Sequence, residues 1–146
     1  MILKKALDKK WWRLYNEVMT NKNTEEVITI KKLEVPKEFR KEGLLRRLVK
    51  FESGYKDVAM YEVIRENWEH GTGHRGYEVM EIRYNTRDLE YYGKVTPAGT
   101  PKLPSNEEFG KYGWHYNKFE SANKTFNELL NTPLKDAFFK KKYIFI

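Results

Sequence analysis

The spacing of apolar positions divides the chain into segments of two periods. From Ile2 to Thr20 it steps by three or four. Leu3, Leu7, Trp11, Leu14 and Val18 fall on one face, with Lys4, Lys5, Lys9 and Arg13 largely elsewhere. This predicts an amphipathic helix over residues 2–20. Trp11 and Trp12 are adjacent and cannot both enter one core, so one is expected at a second contact surface. Residues 27–35 (VITIKKLEV) are β-branched and roughly alternating, which predicts a strand. Leu44, Leu45, Leu48, Val49 and Glu52 return to helical spacing, with Arg46, Arg47 and Lys50 on the other side. A helix over residues 43–53 is the expectation. Residues 58–64 (VAMYEVI) are apolar on both faces, as a central strand is. Residues 77–84 and 89–95 read as two more strands joined at a turn over 85–88, and therefore as a hairpin.

Beyond residue 95 the pattern loosens. Residues 96–113 hold three of the five prolines (Pro97, Pro101, Pro104) together with Gly99, Gly110 and Gly113. They predict a long surface loop, functional or mobile. Trp114 opens a short strand. Phe119, Ala122, Phe126, Leu129 and Leu130 then mark a second amphipathic helix. Thr132-Pro133 reads as a cap and first helical position, with a short helix running to Phe139. The terminal KKKYIFI is expected to dock as an edge strand, since a free apolar end invites aggregation. The element order predicts an α+β fold, a single mixed sheet with packed helices. It forms one domain over 1–146: a basic N-terminal helix 2–20, an α/β core 24–95 and an aromatic, helical extension 114–146. The strand–helix–strand unit over 27–64 would be right-handed, with its strands parallel.

Composition narrows the function classes. A chain of 146 residues with 15% aromatics buries a real core and is not of the disordered class. Without cysteine there is no disulfide framework, thiol nucleophile or Cys-ligated zinc. The N-terminus lacks the long apolar run of a secretory signal, and no stretch approaches a membrane span, so a cytoplasmic location is expected. The net charge of +7 is uneven. Residues 1–22 carry six Lys and Arg against two Asp and Glu, and 111–146 seven against three, whereas 54–110 carry seven against ten. Basic ends favour a polyanion or an acidic protein partner, through Lys4, Lys5, Lys9, Lys10, Lys140, Lys141 and Lys142.

The candidate chemistry centres on residues 35–48. A strand entering a helix through a glycine loop aims free backbone N–H groups and the positive helix end at one point, which suits an anion. The run Val35-Pro-Lys-Glu-Phe39-Arg40-Lys-Glu-Gly43-Leu44-Leu45, followed by Leu48, resembles the acetyl-CoA-binding motif of the GNAT N-acetyltransferases. There a strand ends in Val, an aromatic and then Arg or Gln follow, and two residues precede Gly. Leu45 departs from the pattern, standing where the family has a second small residue. The resemblance implies a GNAT-like core with acetyl-CoA as cofactor. The cofactor would be held by Val35, Phe39, Arg40, Lys41, Gly43, Leu44, Leu45 and Asn67. Asn67 and Tyr77 fall near the family's second motif. Glu34 would serve as base, with Tyr77 as its catalytic companion. The alternative is an ordinary strand–turn–helix with a basic loop.

Two further signals point elsewhere. His70 and His74 flank Gly-Thr-Gly downstream of Glu66 and Glu69, a loop suited to acid–base or metal chemistry. Only His115 remains as a further His, so no metal is expected. Tyr91, Tyr92, Tyr112, Trp114, Tyr116 and Phe119 interleave with Lys94, Lys111 and Lys118, a pattern that stacks bases and neutralises phosphates when exposed and builds core when not. From Tyr91-Tyr92-Gly93-Lys94 through Phe119-Glu-Ser-Ala122 to Phe126 the chain also resembles WGR-type modules, with Tyr-Gly-Lys replacing Trp-Gly-Arg. That resemblance implies binding of nucleic-acid ends and partner proteins. The remaining class is a non-catalytic interaction protein, as phage-encoded inhibitors are. It would act in the host cytoplasm, as a small viral protein without a catalytic signature.

Overall fold

The computed structural model describes residues 27–133 and 143–146. The expected helix 2–20, the short helix to Phe139 and the lysines at both ends lie outside them. The strands are β1 Ile28–Ile30, β2 Glu38–Lys41, β3 Leu44–Ser53, β4 Asp57–Ile64, β5 His74–Tyr84, β6 Leu89–Tyr91, β7 Lys94–Thr96, β8 Pro101–Lys102 and β9 Gly113–Tyr116. Helix α1 is Phe119–Leu130, and β10 is Tyr143–Phe145. The main sheet is antiparallel in the order β2-β3-β4-β5, with both β8 and β9 pairing with β5. The architecture is α+β, as the pattern predicts.

Strand β4 is central because it is apolar on both faces. Val58 and Met60 meet Val79, Ala122 and Phe126 on the side covered by α1. Ala59 and Tyr61 meet Val35, Met80 and Ile82 on the other. The Tyr61 hydroxyl donates to the Pro36 carbonyl at 2.7 Å, so the buried phenol keeps a partner. The predicted strands at 58–64, 77–84 and 114, the helix from Phe119 and the docked C-terminal strand are all present. Strand β10 pairs parallel with β1, Ile28 opposite Tyr143.

Three expectations are corrected. The expected helix over 43–53 is instead a turn residue at Gly43 followed by strand from Leu44 to Ser53, which pairs antiparallel with β4 from Leu45 to Ser53. A β-bulge at Val49, between the Leu48–Tyr61 and Lys50–Met60 pairs, shifts the alternation by one residue. The shift turns a period of two into a spacing that imitates a helix. The parallel strand–helix–strand unit therefore does not exist. Residues 28–30 pair with β10 rather than with β4. Residues 89–95 do not return along β5 either. They fold on themselves as β6 and β7 through a Tyr92-Gly93 turn, and β8 takes the place beside the end of β5. The 96–113 stretch is not a bare loop, since it holds β8 and a 3-10 turn at Asn106–Glu108. Glu108 accepts from Arg83 at 2.7 Å, the Glu81 N–H donates to the Tyr112 carbonyl at 2.9 Å, and Leu103 and Phe109 pack on the sheet face opposite α1.

The small β1–β10 sheet is fastened to the main one by a buried carboxylate. Asp57 Oδ2 accepts from Lys32 Nζ at 2.8 Å and from the Tyr84 hydroxyl at 2.5 Å. Burial pulls the Asp57 carboxyl upward, but hydrogen bonds from Lys32, Tyr84 and Ser53 outweigh it and hold the group below its ordinary value. Burial and the bond to Asp57 push the Tyr84 phenol up.

Because Asp57 ionises more readily folded than unfolded, its contribution is present above the free-chain value of about 4 and is lost as pH falls through the lower folded value. Acid titration of unfolding should show this loss, and Asp57→Asn should flatten that part of the curve. Separately, Phe126→Ala, which empties a fully buried position, should lower stability by about 3–5 kcal/mol in denaturant unfolding.

Candidate functional site

The residues singled out around the glycine motif do not form one site. Val35 is buried in the core beside Ala59 and Tyr61. The neighbouring Glu34 is exposed and borders an apolar cavity of about 380 Å³ that ends at Asp57 and Tyr84. Phe39 stands edge-on to Tyr61 with ring centroids 5.1 Å apart. Arg40 forms a bidentate pair with Glu66 at 2.8 and 2.9 Å. The Lys41 carbonyl accepts from Arg46 at 2.8 Å. Gly43, at φ 75, is the second residue of a two-residue hairpin turn after Glu42, at φ 54. Leu44 and Leu45 open β3, with Leu45 buried. Asn67, at φ 58, turns the loop after β4. Tyr77 packs against Phe119 on the α1 side, across the sheet from Phe39. Since Gly43 leads into a strand, the amide cradle of a loop-to-helix junction is absent from residues 38–53. Glu34 and Tyr77 also belong to different parts of the molecule.

The three histidines are likewise separate. His70 stands edge-on to Trp68. His74 Nε2 lies 3.6 Å from Glu62, and His115 Nδ1 lies 3.9 Å from Glu78. Among the described residues no three His, Asp or Glu side chains gather where a metal ion would fit. Glu78 is held chiefly by Arg46, at 2.7 Å in a buried ion pair. This pair forms the floor of a cleft of about 320 Å³ between Phe39 and Phe109. The aromatic and basic set divides too. Tyr116 packs in the core, and Tyr112 lies under the Arg83 guanidinium at 3.8 Å. Only Tyr91 and Tyr92 stand fully in solvent.

These two tyrosines lie on an arm whose root is hydrogen-bonded to the rest of the fold. The Asn85 N–H donates to the Thr100 carbonyl at 3.0 Å, and the Gly99 N–H donates back to the Asn85 carbonyl at 2.8 Å. The Ala98 N–H donates to Asp88 Oδ1 at 2.8 Å. The Leu33 N–H donates to the Gly99 carbonyl at 2.9 Å. At Gly99, φ 89, a Cβ would lie 2.0 Å from the Lys31 carbonyl oxygen, so only glycine lets the root pass. From this root β6 and β7 project as a hairpin with Leu89 opposite Thr96 and Tyr91 opposite Lys94.

The arm exposes apolar surface out of proportion to its size. Tyr92 is 91% exposed and Tyr91 73%, and Leu89 and Val95 are exposed beside them. The two tyrosine rings touch edge-to-face at 4.4 Å. Tyr92 sits at φ 49 and Gly93 at φ 75, a pair of left-handed residues of the kind hairpin turns fill with Asn-Gly or Gly-Gly. A tyrosine there is strained by its backbone, and its side chain returns no burial to offset the cost. The same left-handed pair occurs at Glu42-Gly43; what sets Tyr92 apart is a large aromatic side chain left 91% exposed in that position. The signal lay in Gly93, a glycine inside an otherwise alternating run, which marks a turn or bulge rather than a continuous strand.

Among the described residues, an antiparallel sheet with one α-helix, a buried-carboxylate fastening and an exposed aromatic arm make up an α+β protein. No family model matches the chain, and no match was found among curated proteins or solved structures. Among the described residues no helix is long and apolar enough to cross a membrane.

Replacing Tyr92 by Asn should therefore raise stability, by about 1 kcal/mol at most, since the left-handed backbone is retained and its cost reduced. Denaturant unfolding of the two proteins measures this. A loss of stability would give the tyrosine a structural role.

Proposed function

We propose that this is a non-enzymatic interaction protein that docks on a protein partner by inserting the Tyr91–Tyr92 arm into an apolar groove. The single observation that carries the reading is an almost fully exposed Tyr92 kept in a left-handed turn position. Tyrosine is a favoured anchor in interface centres, because it brings large contact area with few rotatable bonds. The arm's charges balance, Arg87 and Lys94 against Asp88 and Glu90. That balance gives a polyanion little to grip and suits a protein surface of mixed polarity. The root hydrogen bonds fix the arm before contact, which reduces the ordering cost of association. A cytoplasmic setting, in a host cell if the protein is viral, agrees with a chain that has no cysteine.

The acetyltransferase reading asks instead for a pyrophosphate cradle at Gly43, Leu44 and Leu45. Calorimetric titration with CoA separates the two. The docking reading expects no binding. Micromolar affinity abolished by Gly43→Pro would favour the enzyme.

The direct test places a photoreactive phenylalanine at position 92, and at Glu107 as a control, in cells where the protein acts. One discrete product from position 92 alone is expected. The partner so identified should then lose at least about tenfold in affinity for a Tyr91→Ser, Tyr92→Gly double variant, and a cyclic peptide of residues 85–99 should compete for it. Equal crosslinking from both positions, or unchanged affinity of the double variant, would sink the proposal.

A further inference from the structure

A second presented surface lies at the opposite end of β5. The arm follows Tyr84 at one end of this eleven-residue strand, and the loop over residues 65–73 precedes His74 at the other. The loop is built rather than slack. The Arg65 N–H donates to the Gly73 carbonyl at 2.8 Å and closes it. At Gly73, φ 74, a Cβ would lie 2.1 Å from the Arg65 carbonyl oxygen and 3.2 Å from Trp68 Cβ, so the return needs glycine. The bidentate Arg40–Glu66 pair ties the loop to the neighbouring β2.

This frame converges on one side chain. The Arg65 guanidinium lies over the Trp68 ring at 4.7 Å, and the Arg75 guanidinium lies over the same ring at 4.7 Å. Arg75 reaches it from a β-bulge. Val63 pairs with Gly76 and Ile64 with His74, leaving Arg75 as the extra residue of β5. Bulges re-aim side chains in this way, often beside functional sites. Trp68 is 37% exposed. Among the described residues Arg65, Arg75 and the arm's Arg87 have no ion-pair partner, whereas Arg40, Arg46, Arg47 and Arg83 all do. Glu66 is taken up by Arg40, which leaves Glu69 as the loop's other carboxylate. Both guanidinium groups lie against the indole in cation–π contact, and among the described residues no carboxylate takes up their N–H donors.

We propose that Arg65 and Arg75, braced on Trp68, form a phosphate-binding site that grips the backbone of a nucleic acid, one phosphate to each guanidinium. Guanidinium forks match phosphate oxygens bidentately. The indole already carries two guanidinium groups and stands against the His70 ring, so the donors it offers suit a phosphate backbone more than a stacked base. The chain's net charge of +7, concentrated toward its ends, adds long-range attraction for a polyanion.

The probe is a fluorescein-labelled twenty-nucleotide oligo-dT, titrated by anisotropy at several salt concentrations with the whole chain. Three variants are compared. They are Arg65→Gln with Arg75→Gln, the charge-preserving Arg65→Lys with Arg75→Lys, and the charge-matched control Lys111→Gln with Lys124→Gln. The glutamine pair should lose at least tenfold in affinity. Its log–log salt slope should become shallower by about 1.4, the value for two phosphates on a single strand. The lysine pair should fall between it and the parent, since charge remains and the fork is lost, and the control should lose less than either. Thermal unfolding identifies any variant that has lost its fold, and the lysine pair keeps the comparison open if the glutamine pair has. A glutamine pair that binds like the control, a parent that does not bind at low salt, or binding by an acidic peptide that oligo-dT cannot displace, would each overturn the proposal. Because this surface and the arm lie at opposite ends of β5, Tyr91→Ser with Tyr92→Gly should leave oligo-dT binding unchanged, so either proposal can fail without the other.

Discussion

The constraint on which the rest depends is the demand of one buried carboxylate for partners. Asp57 opens the central strand almost sealed from water, where an unpaired charge would be costly. Its partners come from distant parts of the chain, Lys32 beyond β1 and Tyr84 at the end of β5. The Tyr84 ring also faces Phe145 of β10 at 5.4 Å, and the Lys32 N–H donates to the Ile146 carbonyl at 2.7 Å. One side chain thus fixes the two-stranded sheet on the six-stranded one. The consequence continues outward. The stretch from Lys31 to Leu33 that Asp57 anchors is the surface against which Gly99 packs. The root of the arm thus packs on the segment that Asp57 holds to the main sheet.

Much of this fold was legible in the sequence where burial is continuous or strictly periodic. Residues 58–64 are apolar on both faces and could only be central. Phe119, Ala122 and Phe126 repeat at helical spacing with no competing pattern. The failure at 43–53 has a local physical cause: the bulge at Val49 carries the apolar residues across a change of face, and a strand so broken has a helix's spacing. The hairpin at 89–96 was hidden differently. Tyr92 is a poor turn residue, and only Gly93 betrayed the turn.

The candidate site was less legible, because what distinguishes it is exposure and backbone strain. Neither leaves a periodic trace. Tyr91 and Tyr92 look in sequence like the core-building Tyr77 and Tyr116. Arg65, Trp68 and Arg75 are brought together by a glycine-closed loop and a one-residue bulge, features of register that depend on both strands at once. The glycine motif at Gly43 was easy to see, but a left-handed glycine serves a hairpin turn as readily as a phosphate loop. Which it serves depends on the secondary structure that follows.

If the sheet presents an ordered aromatic arm, the property to measure first is the order of the arm rather than its affinity. Backbone ¹⁵N relaxation of the isolated protein tests that order without knowledge of any partner. Order parameters across residues 89–96 should match those of β5, near about 0.85. Values below about 0.6 for Tyr91, Tyr92 and Gly93, with β5 remaining rigid, would contradict it, for the arm would then be a flexible tether and the root hydrogen bonds would not transmit the order of the sheet.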